Sequence, residues 1–207
     1  MVFNRKFSVL IWGLMSMGVL MVNAQDTLML EANTIQLKEV VVSKEKPKKI
    51  TLGTKAFTPL MWLSVSTRAE TCAEHGKLIQ IKKPSRLLTA NVRVAGNKKS
   101  KDSVTYRLNI YKIKNGFPAE RIPQTEIIKT FPCTADLLTI DLFAENIYLH
   151  EDSVVAFEYL PNKGRKGRFI SFRANITEND AFFRKLPSDT WAAMKSGSPA
   201  IFVEVAQ

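Results

Sequence analysis

From Val104 to Tyr111 apolar and polar positions alternate, with Val104, Tyr106, Leu108 and Ile110 on one face and Thr105, Arg107 and Asn109 on the other. That is the period-two signature of a half-buried strand. Asn115-Gly116 follows within Lys112–Pro118, and because both residues accept the positive φ of a tight turn, the chain is expected to reverse there. Alternation or a short β-branched run recurs at Thr34–Ser43, Leu78–Lys82, Leu87–Val94, Glu126–Phe131, Leu137–Leu142, Ser153–Leu160, Arg168–Ala174 and Ala200–Val205. In Ser153–Leu160, Val155, Phe157 and Tyr159 oppose Val154, Ala156 and Glu158. At the C-terminus either Ile201, Val203 and Val205 or Phe202 face inward. Amphipathic helix patterns of any length are missing. Asn175–Pro199 reads as a polar surface excursion with one helical turn near Trp191–Lys195. Many short strands with turn residues between them predict an all-β chain, an antiparallel β-sandwich of jelly-roll type with about eight strands and an N-terminal strand arm at Thr34–Ser43.

The first 24 residues change the picture from fold to compartment. Arg5-Lys6, an apolar stretch from Phe7 to Val22, and Val22-Asn23-Ala24 ahead of Gln25 have the anatomy of a secretory signal peptide cleaved after Ala24. The apolar run is shorter than the ~20 residues of a membrane span, so the mature chain is expected to have no transmembrane segment and to be exported. Its expected place is the periplasm, the outer-membrane surface or the medium. The expected organisation is 1–24 signal peptide, 25–49 strand arm and basic linker, and 50–207 sandwich domain. Thirty basic residues stand against nineteen acidic ones; the leader removes two basic and no acidic residues, leaving +9 on residues 25–207. The excess sits in loop runs at Lys44–Lys49, Lys98–Lys101 and Lys163–Arg168. Such runs either solubilise a surface or attract anions. Export argues against nucleic acid and leaves anionic lipid headgroups or acidic polysaccharide. Cys72 and Cys133 are either a disulfide, allowed by an oxidising compartment, or two buried thiols; spacing alone does not supply the Cα separation.

Chemistry is sparse. His75 and His150 have neither a second histidine nor a cysteine pair at ligand spacing, so no metal site is expected. Cys72-Ala73-Glu74-His75 is the one local thiol–imidazole grouping, and it reads as a surface loop. His150-Glu151-Asp152 reads as a solvated acidic turn, with calcium ligation as the alternative. A Gly-rich phosphate loop is missing, and no cofactor is expected. Asp141 and Glu158 are the candidate carboxylate pair for glycoside hydrolysis. On the polar face of the central strand, Arg107, Asn109 and Tyr111 recur every second residue and form a candidate shallow binding platform, with Trp62 and Trp191 as further contact candidates.

Two stretches resemble known families. Arg107–Tyr111, Lys114–Pro118, Ile140–Leu142, Asn146-Ile147 and Glu151–Tyr159 resemble exported jelly-roll proteins of Gram-negative bacteria, whose members often carry an upstream carboxypeptidase-regulatory-like domain. With so few residues ahead of the sandwich, such a domain is not expected here. Leu37–Ser43 is similar to the segment at the start of TonB-dependent receptors, where it pairs as a strand with a partner, but no receptor barrel follows. The resemblance implies a β-sandwich of the envelope and brings no catalytic residue. The expectation is a non-catalytic exported binding or interaction module whose partner is an envelope protein, a polysaccharide or an anionic surface; the alternative is a carbohydrate-active hydrolase using Asp141 and Glu158.

Overall fold

The computed structural model describes residues 47–65, 73–122, 125–161 and 170–207, all within one compact unit, Glu45–Gln207. The leader, the arm Thr34–Ser43, Cys72 and the basic run Lys163–Arg168 lie outside the described residues.

The strands are β1 (Lys49–Gly53), β2 (Trp62–Val65), β3 (Glu74–Ile79), β4 (Ser85–Arg93), β5 (Ser103–Lys114), β6 (Phe117–Arg121), β7 (Ile127–Pro132), β8 (Leu137–Asp141), β9 (Tyr148–Leu149), β10 (Ser153–Leu160), β11 (Ile170–Asn175), β12 (Ala181–Arg184), β13 (Ala192–Ala193), β14 (Ser198–Pro199) and β15 (Ile201–Ala206). A seven-stranded sheet runs β13-β12-β3-β10-β5-β6, with β7 also on β5. A five-stranded sheet runs β1-β15-β4-β8, with β9 on β4, and a three-stranded sheet runs β14-β11-β2. Every pairing is antiparallel.

The two larger sheets face each other across a single apolar layer, an antiparallel β-sandwich. Val104, Tyr106, Leu108 and Ile110 of β5 and Val155, Phe157 and Tyr159 of β10 meet Leu87, Ala90 and Val92 of β4, Leu138 and Ile140 of β8, and Ile201, Val203 and Val205 of β15. Each large side chain removed from water here contributes about 1.5–3 kcal/mol relative to its exposed state. The β5–β6 hairpin closes through Asn115 (φ 53°) and Gly116 (φ 79°), with Lys114 opposite Phe117, as the Asn-Gly pair demands.

The structure corrects several expectations. Lys49 is already in β1, opposite Ala206, and Lys48 and Gln207 exchange backbone hydrogen bonds at 2.8 and 3.0 Å, so the end of the expected linker is ladder. The strand placed at Leu78–Lys82 lies earlier, at Glu74–Ile79. The polar excursion holds β12, which pairs with β3 in the large sheet, and Trp191 is followed by the short strand β13 where a helical turn was expected. A 3₁₀ turn lies instead at Phe143–Glu145.

Candidate functional site

The polar face of β5 is where the sequence places a platform. Strand register sets Arg107 opposite Glu158, Glu158 opposite Glu74, and Glu74 opposite Arg184. Four charged side chains thus cross four strands on the outer face of the seven-stranded sheet, two neighbouring carboxylates flanked by an arginine on each side. The Arg107 Nη1 donates to both Glu158 oxygens at 3.1 Å, and its Nη2 lies 2.7 Å from Glu126. Arg184 donates through Nε to Glu74 at 2.7 Å and through Nη2 to the Tyr111 hydroxyl at 2.8 Å. Tyr111 in turn donates to Glu74 at 2.9 Å. Asn109 joins the two carboxylates, donating through Nδ2 to Glu74 at 2.8 Å and to Glu158 at 2.9 Å. Burial pushes the Glu74 carboxyl above its ordinary value, against the pull of Arg184, Asn109 and Tyr111.

Much of this face is covered. Trp191 packs edge-on against Tyr111 with ring centroids 5.3 Å apart, and the Arg184 guanidinium lies 4.6 Å from the Trp191 ring centre. Asn109 and Tyr111 are 2% and 5% exposed. The structure therefore places Arg107, Asn109, Tyr111 and Trp191 in one ionic and aromatic cluster and not on an open platform: Trp191 covers Tyr111 and Arg184, Asn109 is buried, and Arg107 stays partly exposed at the edge. Trp62 is not among them.

The carboxylate pair is separated. Leu138 and Ile140 point into the core, which sends Asp141 to the outer face of the five-stranded sheet, where it is exposed and accepts a hydrogen bond from the Phe143 N–H at 2.9 Å. Glu158 is on the outer face of the opposite sheet, so Asp141 and Glu158 share no cleft. His75 is buried against Phe172 and Phe183, and burial lowers its pKa to about 4. Asp152 caps the Ile81 N–H at 2.7 Å. Among the described residues no three His, Cys, Asp or Glu side chains are gathered as a metal would need. Cys133 is a free, half-buried thiol; Cys72, the other half of the expected pair, lies outside the described residues.

Two open clefts of about 450 Å³ each carry buried or convergent charge, a size within the range of small-ligand sites. In the first, beside β1 and β3, the fully buried Lys77 ammonium is ion-paired with Glu178 and Asp180, and its charge is met. In the second, Arg93, Arg173, Lys98, Phe57 and a single acid, Asp136, line the wall, three cations to one carboxylate. Arg93 leaves the outer face of β4 next to the bridge between Val94 and Phe172, and Arg173 follows Phe172 on β11. Both guanidinium groups come to the Phe57 ring, at 5.5 and 5.4 Å from its centre. Arg93 Nε donates to the Lys55 carbonyl at 3.1 Å, which fixes the group and leaves its terminal nitrogens open. Asp136 is engaged by Lys98, whose hydrogen bond holds the carboxyl below its ordinary value. Among the described residues no carboxylate pairs with Arg93 or Arg173. Trp62 stands directly opposite Arg173 on β2 and is 48% exposed. Three cations converge on this cleft against one acid, Asp136, which lies close enough to Arg173 for that charge to help hold its carboxyl below the ordinary value; guanidinium groups in such excess can receive an oxyanion.

The sequence reading singled out Trp62 here, included Lys98 in a basic run, and did not pick out Phe57, Arg93 or Arg173 as contact residues. The available signal was that Phe57 and Trp62 lie five residues apart in one apolar stretch and that Arg93 ends the polar phase of β4 after Asn91.

No known family matches the sequence, and no curated protein matches it. Among solved structures, the clostridial cysteine protease Cwp84 after propeptide cleavage matches 79% of this chain with a TM-score of 0.52 at 8% identity, over 42% of its own length. A structure of the cysteine protease and lectin-like domains of Cwp84, a surface-layer-associated protein of Clostridium difficile, matches 65% of this chain and 32% of its own at a TM-score of 0.46 and 7% identity. The chain spans less than half the length of these neighbours, and at such identity the first likeness is one of fold.

Proposed function

We propose that the protein is an exported, non-catalytic binding module of the cell envelope, that its contact face is the cleft of Phe57, Arg93 and Arg173, and that its partner is an anionic envelope component. The convergence of Arg93 and Arg173 on Phe57, in a cleft where three cations face the single acid Asp136, carries this reading. An excess of like charge in one cleft raises the energy of the unliganded state, and an oxyanion relieves it through short charge-assisted hydrogen bonds. The cation–π contacts offset part of the repulsion, at about 0.5–2 kcal/mol each. The net positive charge of the mature chain supplies attraction at longer range. Export rests on the leader-like Met1–Ala24, and the likeness of Arg107–Tyr159 to exported jelly-roll proteins belongs to the same proposal.

Binding of residues 25–207 to an immobilised uronate polymer and to phosphatidylglycerol surfaces tests the contact face. The double variant R93Q/R173Q should lose most binding to whichever anion is held, while R107Q, on the outer face of the seven-stranded sheet, should lose little. Equal loss in both variants would place the contact elsewhere. Intact mass of the protein recovered from the periplasm or medium should begin at Gln25; recovery only in the cytoplasm with Met1 retained would contradict export.

A further inference from the structure

The rim of the cleft is as unusual as its charge. Leu60 is 83%, Ile176 57%, Trp62 48% and Phe57 37% exposed, and they belong to two neighbouring segments. The Thr58 N–H donates to the Ala174 carbonyl at 2.9 Å, the Met61 N–H to the Thr58 carbonyl at 3.1 Å, and the Ile176 N–H to Thr58 Oγ1 at 3.2 Å. These bonds tie the 57–62 loop to the end of β11 and hold Leu60 in the left-handed region at φ 62°. For a leucine that conformation costs on the order of 1 kcal/mol or more. The fold thus maintains a strained backbone in order to point an aliphatic side chain at water.

Leucine and isoleucine offer a sugar no hydrogen bond and no flat ring. They gain only by leaving water. An aliphatic tip beside tryptophan, phenylalanine and a pair of arginines matches a membrane interface, where acyl chains take the aliphatic groups, the headgroup layer takes the aromatics, and lipid phosphates take the guanidinium groups at the end of their apolar stems.

We infer that this corner docks on an anionic lipid bilayer, with Leu60 and Ile176 entering the headgroup–acyl boundary and Arg93 and Arg173 receiving a lipid phosphate. The inference rests on the proposed function and names its anionic component. Asp136, the one acid in the cleft, is ion-paired with Lys98, so the cleft keeps a net positive charge.

The test is flotation of residues 25–207 with vesicles of phosphatidylcholine alone and of phosphatidylcholine with phosphatidylglycerol, with and without soluble polygalacturonate. The protein should float with the anionic vesicles only. R93Q/R173Q should weaken binding roughly thirtyfold, since each basic residue near an anionic leaflet contributes about fivefold. L60S/I176S should weaken it about tenfold or more through lost apolar burial while leaving the melting temperature unchanged, as both side chains are exposed. In a W191F background the Trp62 emission should shift to the blue on binding. Binding that is unaffected by L60S/I176S, or equal on neutral vesicles, would overturn the inference. Failure to float together with Arg93- and Arg173-dependent capture by polygalacturonate would replace lipid by acidic polysaccharide and leave the proposed function standing. Binding to neither would overturn both.

Discussion

At the scale of single residues, His75 and Glu74 are adjacent in the chain and point to opposite faces of β3, each into a different kind of burial. The His75 ring lies among aromatics, its Nδ1 has no hydrogen-bond partner, and burial lowers its pKa from 6.5 to about 4. The unfolded chain therefore takes up a proton near pH 6.5 that the folded chain refuses until near pH 4. The resulting stability is complete above pH 6.5 and is lost as pH falls through that window, by on the order of 3 kcal/mol. His75→Phe keeps the aromatic packing and removes the proton, so the difference between the wild-type and variant unfolding free energies should change across pH 4–6.5 and be flat above it. A flat difference throughout would show that His75 does not titrate on unfolding. Glu74 is held by Arg184 instead. Arg184→Met would strand a carboxylate with no exposed side-chain surface, an expected loss of about 3–5 kcal/mol, and adding Glu74→Gln should recover part of it. Equal stability of the single and double variants in chemical unfolding would contradict the pairing. Arg107, Asn109 and Tyr111 were legible as a row because strand periodicity fixes faces. The burial of Asn109 and Tyr111 was not legible, because Glu74, Arg184 and Trp191, which engage them, come from distant strands and loops.

At the scale of elements, β5, β10, β4, β8 and β15 were readable because each has a clear two-residue period or an apolar run bounded by turn residues. β12 was not readable. Ala181–Arg184 is four residues long, and its two phenylalanines fall one on each face, Phe182 packing over Tyr111, Val154 and Ala156 and Phe183 stacking on His75. Its strand character comes from pairing with β3. β1 was hidden by Pro47 and the lysines beside it, although Lys49 is ion-paired with Glu204 across the ladder. Truncation tests β1: a chain beginning at Thr54 loses all of β1 and exposes the edge of β15, so it should melt many degrees below one beginning at Glu45. Equal melting of the two would show that β1 is dispensable. At the hairpin, a Cβ at Gly116 meets no atom within 4 Å, so Gly116→Ala tests conformation alone and should cost about 1 kcal/mol through its positive φ. An unchanged denaturation midpoint would mean that the turn relaxes.

At the scale of the whole molecule, the sandwich could be read from strand periodicity, but its contact face could not. The cleft joins Phe57 to Arg93 and Arg173, which only the folded chain brings together, and none of the three belongs to a motif. Charge runs drew the eye to loops, and one of them supplies Lys98, but the two cations at Phe57 are single arginines on the polar phases of β4 and β11. The central claim is that contact is made at this cleft and not at the cluster beneath Trp191. The three tryptophans are Trp12, Trp62 and Trp191, so residues 25–207 carry two indoles, one at each place. A proton–nitrogen correlation spectrum of that chain, titrated with bicelles containing phosphatidylglycerol, tests the claim most directly. The account predicts that the Trp62 indole resonance shifts or broadens progressively while that of Trp191 stays in place; movement of Trp191 with Trp62 unchanged would contradict it.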